Sequence, residues 1–217
     1  MTRAQIDEQS RIGEQQVQRL EQCLAGGGVA VLPTDTVYGV CCDPDDERAA
    51  RRLYELKGRP AARPAAIMFF ALEPALGALT ELHRDELAAL RALLPGPVTL
   101  LLANRAHRFA PACRSDPDTL GLRVPRLPER MAALASLGRP VMQSSANISG
   151  EADARTLAQV PASLRDGAQV VLDGGELPGR ASTVVDLRDY AEERRWHVLR
   201  EGPLTRAEVR AALTSLD

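Results

Sequence analysis

The sequence predicts one α/β domain with a mostly buried, mixed β-sheet flanked by helices. Short apolar runs of strand type alternate with stretches of helical periodicity, and no linker, low-complexity segment or internal repeat interrupts them. The 217 residues are 45% hydrophobic but only 3% aromatic, so the core has to be built from Leu, Val and Ala. One stretch organises the rest. Residues 28–39, GVAVLPTDTVYG, begin as an apolar strand over 29–32, stop at Pro33 and open into Thr34, Asp35 and Thr36. A buried strand that ends in a polar turn puts side chains at a sheet edge, where α/β proteins bind ligands.

The elements follow in order. Residues 1–11 read as a loose polar arm, with the domain expected over 12–217. Ile12, Val17, Leu20 and Leu24 share one helical face, and the Gly26, Gly27, Gly28 run stops that helix. Asp43, Pro44 and Asp45 open a helix reaching Lys57, with Gly58 and Pro60 as stop signals. A strand over 66–70 precedes one or two helices over 74–93, the clearest from Arg84 to Leu93. The LPGP turn at 94–97 leads into a strand over 98–102. A polar loop over 104–118, a strand over 119–124 and a helix over 129–137 come next. The strand at 140–142 opens into QSSANISG. A short helix near 161–165, strands over 169–172, 182–187 and 196–199, and a helix over 205–213 complete the chain. Thr205 with Glu208 forms a capping box for that last helix.

Several function classes are disfavoured. The net charge of -2 gives no global signal for nucleic acid or membrane. No run approaches the ~18 apolar residues of a membrane span. The beginning, MTRAQIDEQSR, lacks the apolar segment of a signal peptide, so a cytoplasmic location is expected. Cys23, Cys41, Cys42 and Cys113 form no CxxC pair, and His83, His107 and His197 lie far apart, so no zinc site is expected. Cys41 and Cys42 read as small buried hydrophobes. The triple glycine lacks a following GKS or GKT and precedes a strand, which removes a Walker A reading. Ser145 sits in no GxSxG elbow. The arginine pairs 51–52 and 194–195 read as solvated faces.

Four polar stretches adjoin strands: Thr34-Asp35-Thr36, Lys57-Gly58-Arg59, Ser144-Ser145-Ala146-Asn147 and Ser182-Thr183. Singly, each has an ordinary explanation as a turn cap or a basic helix end. Gathered at one sheet edge, they would make a pocket of hydroxyls, an amide and cations suited to phosphate or carboxylate.

LPTDTVYG, KGRP, LPGPVTLLL, LGLRVP, SSANISG, STVVDL and LREG, in that order, resemble the YrdC/TsaC family of threonylcarbamoyl-AMP synthases in its short single-domain form. The resemblance spans about residues 15–203. It implies a twisted YrdC-like sheet with an open concave cavity. It implies synthesis of L-threonylcarbamoyl-AMP from L-threonine, bicarbonate (or CO2) and ATP, with release of pyrophosphate, for threonylcarbamoyladenosine modification of tRNA. A partner complex would carry out the transfer to tRNA, and Mg2+ would arrive with ATP.

The resemblance also implies site residues. Lys57 and Arg59 are the KxR pair expected to face the phosphates and support catalysis. Thr36, Arg123 and Ser145 are expected to bind threonine. Arg63, Thr119, Asn147, Arg155, Ser182 and Arg200 are expected to join Lys57 and Arg59 around the nucleotide. No metal ligand is expected from the protein. The chain departs from the family pattern at Arg63, where Asn is frequent, and at Met68, where His is frequent. A YciO-like paralogue binding tRNA or double-stranded RNA, with weak or no synthase activity, is the alternative. A carbamoyl-transfer component like that of hydrogenase maturation proteins is less favoured. The retained KxR and SxN motifs favour the synthase.

Overall fold

A computed structural model describes residues 11–216, so the arm expected over 1–11 lies, except for Arg11, outside the described residues. Nine strands form one mixed sheet in the order β7-β1-β2-β6-β3-β5-β4-β8-β9. They are β1 Ala30–Leu32, β2 Gly39–Cys42, β3 Ala66–Met68, β4 Val98–Ala103, β5 Thr119–Arg123, β6 Val141–Ser145, β7 Val170–Val171, β8 Thr183–Asp186 and β9 His197–Arg200. β1 with β7, β3 with β5 and β4 with β8 run parallel, while the other neighbours run antiparallel. The middle strands are apolar almost throughout, as expected of a sheet covered on both faces.

The helices are α1 Glu14–Ala25, α2 Glu47–Lys57, α3 Leu72–Ala78, α4 Arg84–Leu93, α5 Ala110–Cys113, α6 Ala162–Gly167, α7 Tyr190–Glu193 and α8 Arg206–Thr214. In α1 the buried residues are Val17, Leu20 and Leu24, the face expected from their spacing. α2 carries much of the functional geometry. The Asp46 carboxylate caps it by accepting from the amides of Arg48 and Ala49. Its buried face is Ala49, Ala50, Leu53, Tyr54 and Lys57. Gly58 ends it in the left-handed region, at φ 56°, which turns the chain so that Lys57 and Arg59 both reach the sheet edge. The capping box of Thr205 and Glu208 forms at α8 as expected.

The structure corrects the sequence reading in several places. Gly39, read as the end of the organising stretch, and residues 40–42, to which the sequence reading assigned no element, form β2 and pair with both β1 and β6. Cys41 and Cys42 are fully buried there, and the run was masked by the polar turn directly before it. The helix expected from Asp43 begins at Glu47, because Asp46 serves as its cap. The segment expected as an α-helix over 129–137 is a 3-10 helix, Glu129–Ser136. β6 extends to Ser145, so part of the SSAN motif belongs to a strand and not to a loop. The loop over 104–118 contains α5 and is pinned by Asn104, whose amide donates to the carbonyls of Arg108 and Pro117. The arginine pairs at 51–52 and 194–195 lie exposed, as expected, though two of them also hold neighbouring segments. Arg194 reaches Asp85 of α4 at 2.9 Å, and Arg52 donates to the Gly167 carbonyl.

Candidate functional site

The polar ends of β1, β6 and β8 and the turn after α2 meet around a cavity of about 480 Å3. Its wall includes Lys57, Arg59, Arg63, Thr119, Arg123, Ser145, Asn147, Ser182 and Arg200, nine of the expected site residues. Thr99, Asp116, Gln143, Ser144 and Asp153 line it too, although sequence reading had not assigned them. Gln143 and Ser144 belonged to a stretch already marked as dense in hydrogen-bonding groups. Thr99 stood inside an apolar strand and gave no signal.

At the buried end, Arg123 is 4% exposed. Its Nη2 donates to Asp35 Oδ1 at 2.9 Å and to Thr36 Oγ1 at 3.0 Å, and its Nη1 donates to Gln143 Oε1 at 3.3 Å. Burial lowers the pKa of Arg123 and raises that of Asp35, so the cost of desolvation outweighs their mutual attraction on both sides. The Arg123 Nε is buried with no hydrogen-bond partner. Three of the five guanidinium donors are thus held by the protein; Nε is sealed within it, and one Nη1 hydrogen is left uncommitted.

Thr36 stands behind this arginine. It is fully buried and absent from the cavity wall. Thr34 Oγ1 donates to the Val37 carbonyl at 2.7 Å, so in the 2.9 Å contact between the two hydroxyls Thr36 is the donor. With its proton on Thr34 and its oxygen accepting from Arg123, Thr36 holds Arg123 in place without reaching the open space.

The middle of the cavity is a clasp made by Lys57. Its ammonium donates to the Ser145 carbonyl, to the Asn147 carbonyl at 2.7 Å and to Asn147 Oδ1 at 3.0 Å. Ser145 Oγ also donates to Asn147 Oδ1, at 2.7 Å. The KxR and SxN motifs are therefore one hydrogen-bonded unit. Burial, reinforced by the charge of Arg59, pushes the Lys57 pKa down to about 8. The Ala146 amide donates to the Tyr38 carbonyl, which ties this unit to the turn after β1. The Tyr38 hydroxyl has Asp173 Oδ1 at 2.8 Å and the Gly175 carbonyl at 2.9 Å as acceptors for its one proton.

The exposed end carries Arg59, Arg63 and Arg200. Arg59 Nη2 donates to the Pro64 carbonyl at 2.6 Å, and its Nε is buried without a partner. Arg59 and Arg114 both lie over the ring of Tyr54, at 5.7 and 4.5 Å from its centre. Tyr54 Oη donates to the Arg63 carbonyl at 2.5 Å. One ring thus sets the course of the 58–64 turn and links it to the loop over 104–118. Across the opening, Arg200 donates to the Ser182 carbonyl and hydroxyl, and Ser182 shares a hydrogen bond with Thr99. Arg188 donates to Thr119 Oγ1.

Two expectations meet a different arrangement. Arg155 is not part of the cavity wall; it pairs with Glu176 at 2.7 Å. Met68 is fully buried in β3 beside Arg123 in register and does not line the cavity. Among the described residues no group of three or more His, Cys, Asp and Glu is arranged to hold a metal ion. No helix among them is long and apolar enough to cross a membrane.

A mixed α/β sheet whose edge gathers guanidinium groups, hydroxyls and an amide around one cavity defines a ligand-binding domain for anions. The family model Sua5_yciO_yrdC, described as telomere recombination, matches residues 22–202, and the chain belongs to that family. A protein of Chromohalobacter salexigens named threonylcarbamoyl-AMP synthase is 37% identical over 79% of this chain and 92% of its own length. One of the same name from Aliivibrio fischeri is 32% identical over 76% of this chain and 89% of its own length. The crystal structure of Pyrococcus abyssi Sua5 complexed with L-threonine is 30% identical with a TM-score of 0.80, covering 93% of this chain. This chain spans only 58% of that archaeal one. Escherichia coli YciO, 23% identical with a TM-score of 0.74, shares the fold.

Proposed function

We propose that the chain is a threonylcarbamoyl-AMP synthase that joins L-threonine, bicarbonate or CO2, and ATP, releasing pyrophosphate. The observation that carries this reading is the division of one cavity into a buried, charge-balanced end and an exposed end rich in arginine. The relatives named for this activity and the threonine-bound archaeal structure support it.

The threonine carboxylate is taken at the buried end by the donor that Arg123 keeps free, and its amine lies toward Ser145. The amine adds to CO2 and loses a proton, forming a carbamate. A carbamate oxygen then attacks the α-phosphorus of ATP, the bond to the bridging oxygen breaks, and pyrophosphate leaves. Arg59 and Arg200, with Arg63 at the rim, stand where the phosphates would lie and offset the charge that builds on them. Lys57 fixes the Ser145–Asn147 segment and adds its own charge. Thr119, Ser182 and Asn147 complete the nucleotide contacts. Placement and electrostatics suffice for this reaction, and no protein nucleophile is required. Mg2+ would enter bound to the ATP phosphates, whose oxygens are the hard ligands it prefers. The product would be passed to a threonylcarbamoyl-transfer complex acting on tRNA.

The test is pyrophosphate release from ATP measured with threonine plus bicarbonate, with either omitted, and with serine in place of threonine. Release is expected only when threonine and bicarbonate are both present. Release independent of threonine, or none with the cavity residues intact, overturns the reading.

A further inference from the structure

We propose that Gln143 is a substrate-binding residue, whose side-chain amide donates a hydrogen bond to the carboxylate of the amino-acid substrate beside Arg123. The inference deepens the synthase reading and rests on it.

The orientation of Gln143 follows from its neighbour. Arginine has donors only, so the atom of Gln143 that faces Arg123 Nη1 at 3.3 Å is the carbonyl oxygen. The amide nitrogen must then point the other way. There it passes over Gly39, where an added Cβ would sit 2.6 Å from Nε2. Any larger residue at position 39 would drive the amide out of this place. In the register of the sheet Gln143 lies opposite Cys41 on one side and Ala66 on the other, and the small Ala66 leaves the cavity open beside it.

Gln143 is 4% exposed and lines the cavity, yet no acceptor among the described residues takes its Nε2. Nε2 is not one of the fully buried unpartnered nitrogens of the described residues, so it stays accessible, and an accessible amide donor with no protein acceptor on a cavity-lining residue is open to an acceptor on a ligand. The neighbouring Arg123 Nε is fully buried and without a partner, while one hydrogen of its Nη1, the nitrogen that meets Gln143, is uncommitted. β5 and β6 therefore each bring an uncommitted donor to the same end. Asp35 already neutralises the Arg123 charge, so a carboxylate here is held by directed hydrogen bonds more than by net charge. Gln143 supplies one that arginine alone cannot.

Calorimetric binding of L-threonine and of Mg-ATP to the full chain tests this with Gln143→Glu and Gln143→Met. The first keeps an acceptor for Arg123 but replaces the donor with negative charge. The second keeps volume and removes the donor, and it serves if the charged variant fails to fold. Thermal melting checks the fold of each. A loss of threonine affinity of about fivefold or more in a folded variant, with ATP affinity within about twofold of the wild type, supports the inference. A smaller loss, or equal losses for both ligands, overturns it while leaving the synthase reading in place. A wild-type chain that binds ATP but no threonine overturns the synthase reading and this inference with it.

Discussion

Arg123 at the buried end and Arg59 at the exposed end are both cavity arginines with an unpartnered Nε, yet the protein holds them differently. Arg123 is neutralised by Asp35 at 2.9 Å and steadied by Thr36 and Gln143. Arg59 meets no carboxylate among the described residues; it rests on Tyr54 and donates to the Pro64 carbonyl. The first arrangement suits recognition of a small ligand by directed hydrogen bonds. The second keeps net positive charge for a polyanion whose charge shifts during reaction. Lys57 lies between them and joins the two by holding the Ser145–Asn147 segment.

The largest effect is expected at the buried end. Arg123→Met leaves Asp35 buried without its partner and should cost about 3–5 kcal/mol of stability in urea unfolding. Adding Asp35→Asn should recover a large share, since the double variant buries no unpaired charge. Additive losses from the two changes would show that the pair is not coupled.

Next comes the clasp. Lys57→Met leaves two carbonyls without their ammonium donor, while Asn147 Oδ1 keeps the one from Ser145 Oγ, and a loss of about 1–3 kcal/mol is expected near neutral pH. The pH dependence has a definite sign. Burial lowers the Lys57 pKa to about 8, from an ordinary 10.5. Below about 8 both folded and unfolded chains carry the proton, and the burial penalty is present in full. Between about 8 and 10.5 the unfolded chain binds more protons than the folded one, so the penalty relaxes as pH rises. The stability of the wild type relative to Lys57→Met should therefore increase from about pH 7 to about pH 10 in denaturant titrations. A constant difference would mean that Lys57 titrates at its ordinary value.

Smaller effects are expected at the exposed end. Tyr54→Leu removes the ring beneath Arg59 and should weaken ATP binding about two- to fivefold, with threonine binding unchanged. Tyr54→Phe keeps the ring and should stay within about twofold for ATP. If the phenylalanine variant loses as much as the leucine variant, the hydroxyl bond to Arg63 is what matters. The smallest effect belongs to Arg155→Ala, which removes a half-exposed ion pair outside the cavity and should leave ATP affinity within about twofold.

The site was legible to unequal degrees. Ser145 and Asn147 could be picked out as a polar stretch after an apolar strand and Lys57 and Arg59 as a basic helix end, whereas Arg123 was assigned only through the family resemblance. Gln143 shared such a stretch but carried no charge to single it out. Tyr54 read as one more helix residue, since nothing in its local sequence shows that two arginines from distant segments meet its ring. Arg155 was placed by counting along the chain, and its pairing with Glu176 depends on how the loop around Gly179 packs.

Local sequence sufficed for the alternation of strands and helices, the stop at Gly58, the cap at Thr205, and which stretches adjoining strands would be polar. Those features depend on local backbone preference and hydrophobic period, which neighbouring residues suffice to express. The tertiary structure alone decided that β2 inserts between β1 and β6, that Lys57 clasps the segment after β6, and that Thr36 supports Arg123 from behind the cavity wall. Each joins groups far apart in the chain, and their energies arise only when burial removes the competing hydrogen bonds of water.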